Sequence, residues 1–172
     1  AGQFYSGDPS RLREELERYE RDAGPSPLPA DAVLRAVVSP HAGYSFSGPT
    51  AVKTLAPAKN GSHRRVLVLA PSHRAMVRGL ALADYSAFAT PFGEMPIDEE
   101  ATRSILDERN SLVQAANAAH EGEHALEVQL PIIQRFLPAA ALVAGVCGRV
   151  GVEEARVVAA ALQPLWNPET LW

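Results

Sequence analysis

Short apolar runs separated by polar and turn-forming residues recur along this chain. Residues 34–39 and 65–70 are rich in leucine, valine and alanine, and a proline directly follows each run. Runs of this length, bounded by turn formers, predict buried β-strands. Residues 79–83 and 140–146 have the same apolar character and predict two further strands.

Between these runs the apolar residues follow helical spacing. Asp8 before Pro9 is typical of a helix start, and the pattern predicts a helix from there to about Arg21. Asp98 is expected to cap another helix that extends to about Glu108. The other predicted helices are residues 49–55, a stripe of Leu126, Leu130, Ile133 and Leu137, and residues 152–162.

The order of these elements predicts the fold class. Residues 43–48 read as a turn before the short helix, and Pro131 should kink the striped helix or mark its first regular turn. Strands that alternate with helices are typical of an α/β fold. We therefore expect a central, mostly parallel or mixed sheet with helices on both faces.

The composition is that of a globular protein. The 172 residues are 47% hydrophobic and 21% charged, which predicts a single domain over residues 1–172. A net charge of −4 and a pI near 5.7 argue against a nucleic-acid-binding face. A single cysteine excludes an internal disulfide and favours a reducing cytoplasm. No apolar run reaches the ~18 residues that a membrane-spanning helix needs.

Two histidines follow the first two predicted strands by the same route. His41 comes directly after a proline, and His73 comes after a Pro-Ser pair. Ligands in open α/β sheets bind outside the carboxyl ends of the strands. Either histidine alone would more often cap a strand or bond a carbonyl, but the repetition favours a shared metal or acid–base site. Neutral imidazole is a ligand for zinc, copper and iron.

A second cluster of candidate residues covers residues 120–124, with the sequence His-Glu-Gly-Glu-His. It matches H-E-x-x-H formally, the zinc motif of a peptidase, but Gly122 disfavours the continuous helix that this motif needs. The alternative is a helix N-terminus at which acidic side chains favour the helix dipole. His63 is expected in a surface loop, and Cys147 as a small buried apolar residue.

Five sequence blocks occur in one order along the chain. They are Ala1-Gly2-Gln3-Phe4-Tyr5, Pro40-His41-Ala42-Gly43-Tyr44, Pro71-Ser72-His73, Thr90-Pro91-Phe92-Gly93 with Asp98, and Glu123-His124-Ala125-Leu126-Glu127-Val128-Gln129-Leu130-Pro131. Together they resemble the Memo family, whose prokaryotic members are often named AmmeMemoRadiSam system protein B. The resemblance implies a fold like the catalytic subunit of class III extradiol dioxygenases, which use non-haem iron.

The resemblance also implies a set of functional residues. It identifies His41 and His73 as ligands of a divalent metal, with iron as the first choice and copper or zinc as alternatives. His124 and Glu123 are candidates for acid–base catalysis or for supporting the metal ligands.

The neighbours of the two metal-site histidines are candidates for substrate contact. They are Gly43, Tyr44 and Ser72. A glycine after His41 would let the backbone approach a bound molecule closely. Family analogy further implies AMMECR-type and radical SAM proteins as companions.

The chain departs from the family pattern towards its C-terminus. Members usually continue with a strand and a Ser-Asp-Phe-x-His segment, followed by a cysteine near the site. The sequence ends at Trp172, where that strand should begin, so we expect a domain that is incomplete at its C-terminus. Cys147 has a similar local context but comes too early in the order of blocks to take the role of that cysteine.

Two functions of different kinds follow from these expectations. The first is a metal-dependent oxidoreductase or dioxygenase-like protein that acts on a small molecule. The alternative is a non-enzymatic module that binds a peptide or a partner protein in the same crevice, because fold alone does not decide function.

Overall fold

A five-stranded mixed sheet forms the centre of the protein in the computed structural model, which describes residues 1–26, 28–29, 32–107 and 110–172. The strands are β1 (Arg65–Pro71), β2 (Leu80–Leu82), β3 (Ala87–Thr90), β4 (Gly93–Pro96), β5 (Val113–Ala115), β6 (Ala141–Cys147) and β7 (Thr170–Leu171). The sheet order is β5-β2-β6-β1-β7, and β3 pairs with β4 as a separate antiparallel hairpin. Strands β6, β1 and β7 are parallel, whereas β2 runs antiparallel to β6 and parallel to β5.

Six helices cover the two faces of this sheet. They are α1 (Pro9–Ala23), α2 (Tyr44–Leu55), α3 (Glu99–Leu106), α4 (His124–Glu127), α5 (Leu130–Phe136) and α6 (Val152–Leu162), with short 3₁₀ turns at Ala56–Asn60, Asn117–Ala119 and Gln163–Leu165. Helices α1, α2, α4 and α5 share one apolar core, and α3 and α6 share the other. The predicted α/β fold with a mixed sheet and helices on both faces is confirmed.

The alternation of side chains along β6 separates these two cores. Leu142 and Ala144 belong to the core of α1, α2, α4 and α5, whereas Val143 between them belongs to the core of α3 and α6. Successive side chains of a strand point to opposite faces of the sheet. All three are at most 1% exposed, which explains why the strand reads as a continuous apolar run.

The apolar segment 34–39 does not form a strand, contrary to the prediction. It lies beside the residue that follows β7. The N–H of Val37 donates to the carbonyl of Trp172 at 2.8 Å, and the N–H of Trp172 donates to the carbonyl of Arg35 at 3.0 Å. Val38 in this segment is 95% exposed, so the segment lacks the burial that its apolar pattern predicts.

Residues 43–48 were expected to form a turn, but most of them belong to α2, which begins at Tyr44. Gly48 serves helix packing here. A Cβ atom on Gly48 would come within 2.7 Å of the Tyr19 ring and 3.1 Å of Cβ of Tyr44. The glycine therefore lets α1 approach α2 closely, and its presence does not mark a chain reversal.

The other predicted elements are present with shifted boundaries. Strands β1, β2 and β6 and helices α1 and α6 are all found where the sequence predicts them. The side chain of Asp98 accepts a hydrogen bond from the N–H of Ala101 at 2.9 Å and so caps α3 as expected. The predicted end of that helix, Glu108, lies outside the described residues.

The striped segment that was predicted as one helix consists of α4 and α5. Val128 and Gln129 separate the two, and Pro131 lies in the first turn of α5 as one of the two predicted alternatives requires. Proline is tolerated there because the backbone N–H that it lacks would have no partner within the helix. The break lets α4 point its first residue towards the carboxyl edge of the sheet.

His63 is buried rather than exposed in a surface loop, so that expectation is wrong. It is 8% exposed, and its Nε2 lies 2.8 Å from the carbonyl oxygen of Leu34. None of the helices in the described part of the chain is long and apolar enough to cross a membrane.

Candidate metal centre

Strand β1 carries His73 to the carboxyl edge of the sheet. After β1 ends at Pro71, the N–H of Ser72 still donates to the carbonyl of Cys147 at the end of β6, at 2.8 Å. The Ser72 hydroxyl then donates to the carbonyl of Ala75 at 2.6 Å, which closes a turn. The imidazole of His73 is left 40% exposed at this edge.

Glu123 orients His73 through contacts with its backbone and its ring. Its Oε2 accepts from the backbone N–H of His73 at 2.6 Å, and its Oε1 lies 2.9 Å from Nδ1 of the same residue. Oε1 also accepts from the N–H of Ala125 at 2.9 Å, so Glu123 is the N-cap of α4. The side chain is 1% exposed, and both of its oxygens have partners.

These hydrogen bonds determine the charge of Glu123 and the tautomer of His73. Burial alone would raise the pKa of Glu123, but the hydrogen bonds from Ala125 and His73 outweigh burial and hold the pKa below its usual value. An ionised carboxylate can only accept, so Nδ1 of His73 must carry the proton. The lone pair of His73 is therefore on Nε2, the arrangement seen when a carboxylate orients a metal-binding histidine.

His124, the first residue of α4, completes the nearest group. Its ring lies 4.8 Å from the His73 ring between centroids, and its Nδ1 is 3.5 Å from Oε1 of Glu123. On its other side the ring of Phe4 stacks on it at 4.6 Å with an interplanar angle of 10°. The phenyl ring thereby fixes the plane of the imidazole.

His41 approaches the same group from the segment before α2. Its ring centroid is 5.3 Å from that of His73 and 6.2 Å from that of His124. Burial, followed by the repulsion that the charged forms of the other two imidazoles would exert, lowers the pKa of His41. The side chain is therefore neutral near pH 7, which is the form that binds a metal.

Gln129 fixes the segment that carries His41, a role that the sequence analysis missed. The Gln129 amide nitrogen donates to the carbonyl of Pro40 at 2.8 Å, and its oxygen accepts from the Ser39 hydroxyl at 2.9 Å. Gln129 follows α4 by two residues, so one short stretch of chain positions both His41 and His124. In the sequence, the one signal for this role of Gln129 is its position in the block 123–131.

The donor atoms are of the types that bind transition metals. His73, Glu123 and His124 each offer a ligand atom within 4.8 Å of the others, and two histidines with a carboxylate form the set typical of non-haem iron sites. His41 adds a third imidazole beside them. The residues present therefore fit a divalent metal such as iron, copper or zinc.

Four of the predicted functional residues thus meet at one place, namely His41, His73, Glu123 and His124. The three predicted substrate contacts, Gly43, Tyr44 and Ser72, are neighbours of these residues in sequence. Each of them makes a contact within the protein, and the Ser72 hydroxyl donates to the carbonyl of Ala75. Gly43 faces Phe4, whose carbonyl oxygen would be 3.3 Å from an added Cβ. The Tyr44 hydroxyl is buried and donates to the carbonyl of Val128 at 2.8 Å.

The H-E-x-x-H interpretation fails because the helix that it requires is not there. Gly122 has a φ of +70°, and α4 begins only at His124. His120 points elsewhere, with its Nε2 3.1 Å from the carbonyl oxygen of Ala81. Cys147 is half-buried at the end of β6, where burial raises the pKa of its thiol.

Comparison with known proteins identifies the family of this chain. The family profile described as "Memo-like protein" matches residues 1–169. A MEMO1 family protein of Methanothermobacter thermautotrophicus is 36% identical over 141 residues, which are 79% of this chain and 50% of that protein. A MEMO1 family protein of Methanopyrus kandleri is 36% identical over 151 residues, covering 80% of this chain and 53% of its own. The "Protein memo-1 homolog" of Caenorhabditis elegans is 32% identical over 145 residues, covering 80% and 38%.

Fold and site together define an α/β protein with a histidine-rich candidate metal centre at the carboxyl edge of a mixed sheet. Within that class, the chain belongs to the Memo-like protein family. It spans about half the length of the archaeal relatives it matches.

Proposed function

We propose that this chain binds a divalent metal, iron in the first instance, through His41 and His73, and that it supports metal-dependent oxidation of a small molecule. The observation that carries the proposal is the hydrogen bond from Nδ1 of His73 to the buried carboxylate of Glu123. It turns Nε2 towards the edge of the sheet, next to two further imidazoles, and in the neutral ring it places the lone pair on Nε2.

The four side chains have different parts in this proposal. Glu123 orients His73, because both carboxylate oxygens are already hydrogen-bonded. His41 and His73 supply the neutral nitrogens for the metal. His124, held against Phe4, is the group left to take up or release a proton of the substrate.

A bound iron would supply the reaction with dioxygen, as in the class III extradiol dioxygenases that the fold resembles. The chain itself contributes the orientation of the donors and a partly enclosed site. The substrate class that fits such chemistry is a catechol-type aromatic. The relatives' names state no reaction, so this assignment rests on the imidazole donors of His41 and His73 and on the resemblance in fold.

Loading the purified chain with Fe²⁺ under anaerobic conditions tests the proposal. We expect one iron to bind per chain, and oxygen uptake when catechol is added. His41→Ala and His73→Ala should each weaken iron binding by more than the ~10–100-fold that is typical when only a supporting residue is lost. Elemental analysis after desalting and an oxygen electrode provide the two measurements.

The matched control is His63→Gln, which removes a histidine that lies outside the cluster. Circular dichroism establishes that each variant is folded. Iron content that is unchanged in both cluster variants would overturn the metal site. Iron binding without oxygen uptake would overturn only the oxidation chemistry.

A further inference from the structure

A groove of about 570 Å³ borders the histidine cluster on the side of His73. It is formed by the loop that follows β1 and by the two residues that follow β6. Its lining includes His73 together with Arg74, Arg78 and Arg149. Nothing in the proposed metal chemistry uses these three arginines.

Backbone contacts hold two of the arginines side by side. Arg78 and Arg149 form an isolated parallel β-bridge, and the N–H of Gly148 donates to the carbonyl of Gly79 at 2.9 Å. A Cβ on Gly148 would lie 1.7 Å from the carbonyl oxygen of Val77, so only glycine permits this approach. The floor of the groove is therefore built by close backbone packing.

Arg74 connects the groove with the cluster. Its Cδ lies 3.7 Å from the place that a Cβ on Gly122 would occupy. Gly122 directly precedes Glu123, the residue that orients His73. Arg74 is exposed, and it lines the groove together with the adjacent His73 of the cluster.

The groove has an excess of positive charge in a chain whose net charge is −4. Arg78 is paired with Glu154, with Nη2 and Nε at 2.9 and 3.1 Å from the same carboxylate oxygen. Among the described residues, no carboxylate lies within 4.0 Å of Arg74 or Arg149. An arginine cluster of this kind attracts anions and orients them towards the adjacent site.

We propose that this groove binds the carboxylate or phosphate group of the molecule whose reactive part lies at the histidine cluster. That this molecule is a substrate rests on the proposed function, whereas the anion site itself does not. Guanidinium groups bind oxyanions through paired, charge-assisted hydrogen bonds. The substrate class is thus narrowed to molecules that carry an oxyanion next to the group that reacts.

Binding of small anions to the metal-free chain tests this proposal independently of the metal. The probes are inorganic phosphate and benzoate, and the binding of each is followed by ¹H–¹⁵N NMR at low salt. We expect at least one of them to shift the amide signal of Gly148 in a saturable way. Arg74→Gln and Arg149→Gln should each weaken that binding about tenfold or more, the loss expected for one charge-assisted hydrogen bond.

Two further variants sharpen the result. Arg156→Gln removes an exposed arginine of α6 that is paired with Glu153 and lies outside the groove, so it should leave binding unchanged. Glu154→Gln should tighten binding, because it releases Arg78 from its only ion pair in the described residues.

Saturable binding that weakens in both groove variants supports the site, and the tighter probe identifies phosphate or carboxylate as the preferred group. Absence of binding by either probe, or equal losses in Arg149→Gln and Arg156→Gln, overturns the site. Failure of iron binding would leave this result untouched, so the two proposals fail separately.

Discussion

At the scale of single residues, the hydrogen bonds of Glu123 determine what the site can do. This carboxylate is buried, ionised and bonded at both oxygens. Its place in H-E-G-E-H made it look like one of several acids near a helix start. In the structure it fixes the tautomer of His73 and caps α4 at the same time. Its pKa is lowered because those hydrogen bonds outweigh the effect of burial.

Glu123→Gln separates an orienting role from direct ligation. A glutamine can still accept one hydrogen bond, but it carries no charge to fix the protonated Nδ1 of His73. We expect about a 10–100-fold loss of iron affinity with one iron still bound at saturation. Competition with a coloured chelator measures the affinity.

The control is Glu121→Gln, at an exposed position two residues earlier in the chain. Loss of all iron at saturating concentration in Glu123→Gln, with Glu121→Gln unaffected, would show that the carboxylate itself is a ligand.

At the scale of secondary structure, the contact between α1 and α2 determines how the segment after His41 is placed. Helix α2 begins three residues after His41, and its Gly48 lies against the ring of Tyr19. The Tyr19 hydroxyl in turn donates to the carbonyl of Tyr44 at 3.2 Å. The packing of the two helices therefore fixes the first turn of α2, and with it the end of the segment that carries His41.

Gly48→Val should destabilise the protein by about 2–3 kcal/mol, because the new side chain would overlap the buried ring of Tyr19 and Cβ of Tyr44. Urea unfolding followed by tryptophan fluorescence measures the change. Ser45→Val, at an exposed position of the same helix, should change stability by less than about 1 kcal/mol. Equal effects of both variants would contradict the packing argument.

At the scale of the whole molecule, Glu20 of α1 joins distant parts of the chain. Its carboxylate accepts from Nε of Arg135 in α5 at 3.0 Å and from Nζ of Lys59 at 3.0 Å. Burial acts to raise the pKa of Glu20, but the two cations outweigh it and lower the pKa overall. Since the folded state favours the ionised form, this stabilisation is present above the ordinary carboxyl pKa and is lost as the pH falls through the lowered value.

Glu20→Gln should therefore cost about 1–2 kcal/mol at pH 7 and nothing at a pH below the lowered pKa. Urea unfolding at pH 7 and at the lowest pH at which the protein is still folded compares the two conditions. Glu153→Gln, which removes an exposed acid paired within α6, should have little effect at either pH. A loss that is the same at both pH values would show that the charge of Glu20 is not responsible.

Much of this molecule can be predicted from local sequence pattern. Strand β6 and helix α6 are continuous in sequence and have clear boundaries, so periodicity and turn residues locate them. The histidine pair was predicted because each histidine follows an apolar run and a proline, although only the run before His73 forms a strand. The resemblance of five ordered blocks identified the family, which the comparisons confirm.

The remainder depends on contacts that sequence pattern does not encode. Residues 34–39 have strand-like composition, but a strand also needs a paired neighbour and burial, and Val38 is 95% exposed. Gly48 belongs to a segment whose composition predicts a turn, but in the structure it allows α1 to pack closely against α2. The role of Gln129 depends on Pro40, which is 89 positions away along the chain.

The segment that carries His41 also has a consequence for assembly. Val37, Ser39 and His41 line one cavity with residues 67–71 of β1, beyond the two pairs that β1 makes with β7. An exposed strand edge is a template for uncontrolled sheet growth. Because the segment lies along this edge, it hinders the pairing of β1 with another sheet, so the residues that bring a histidine to the site also act against aggregation.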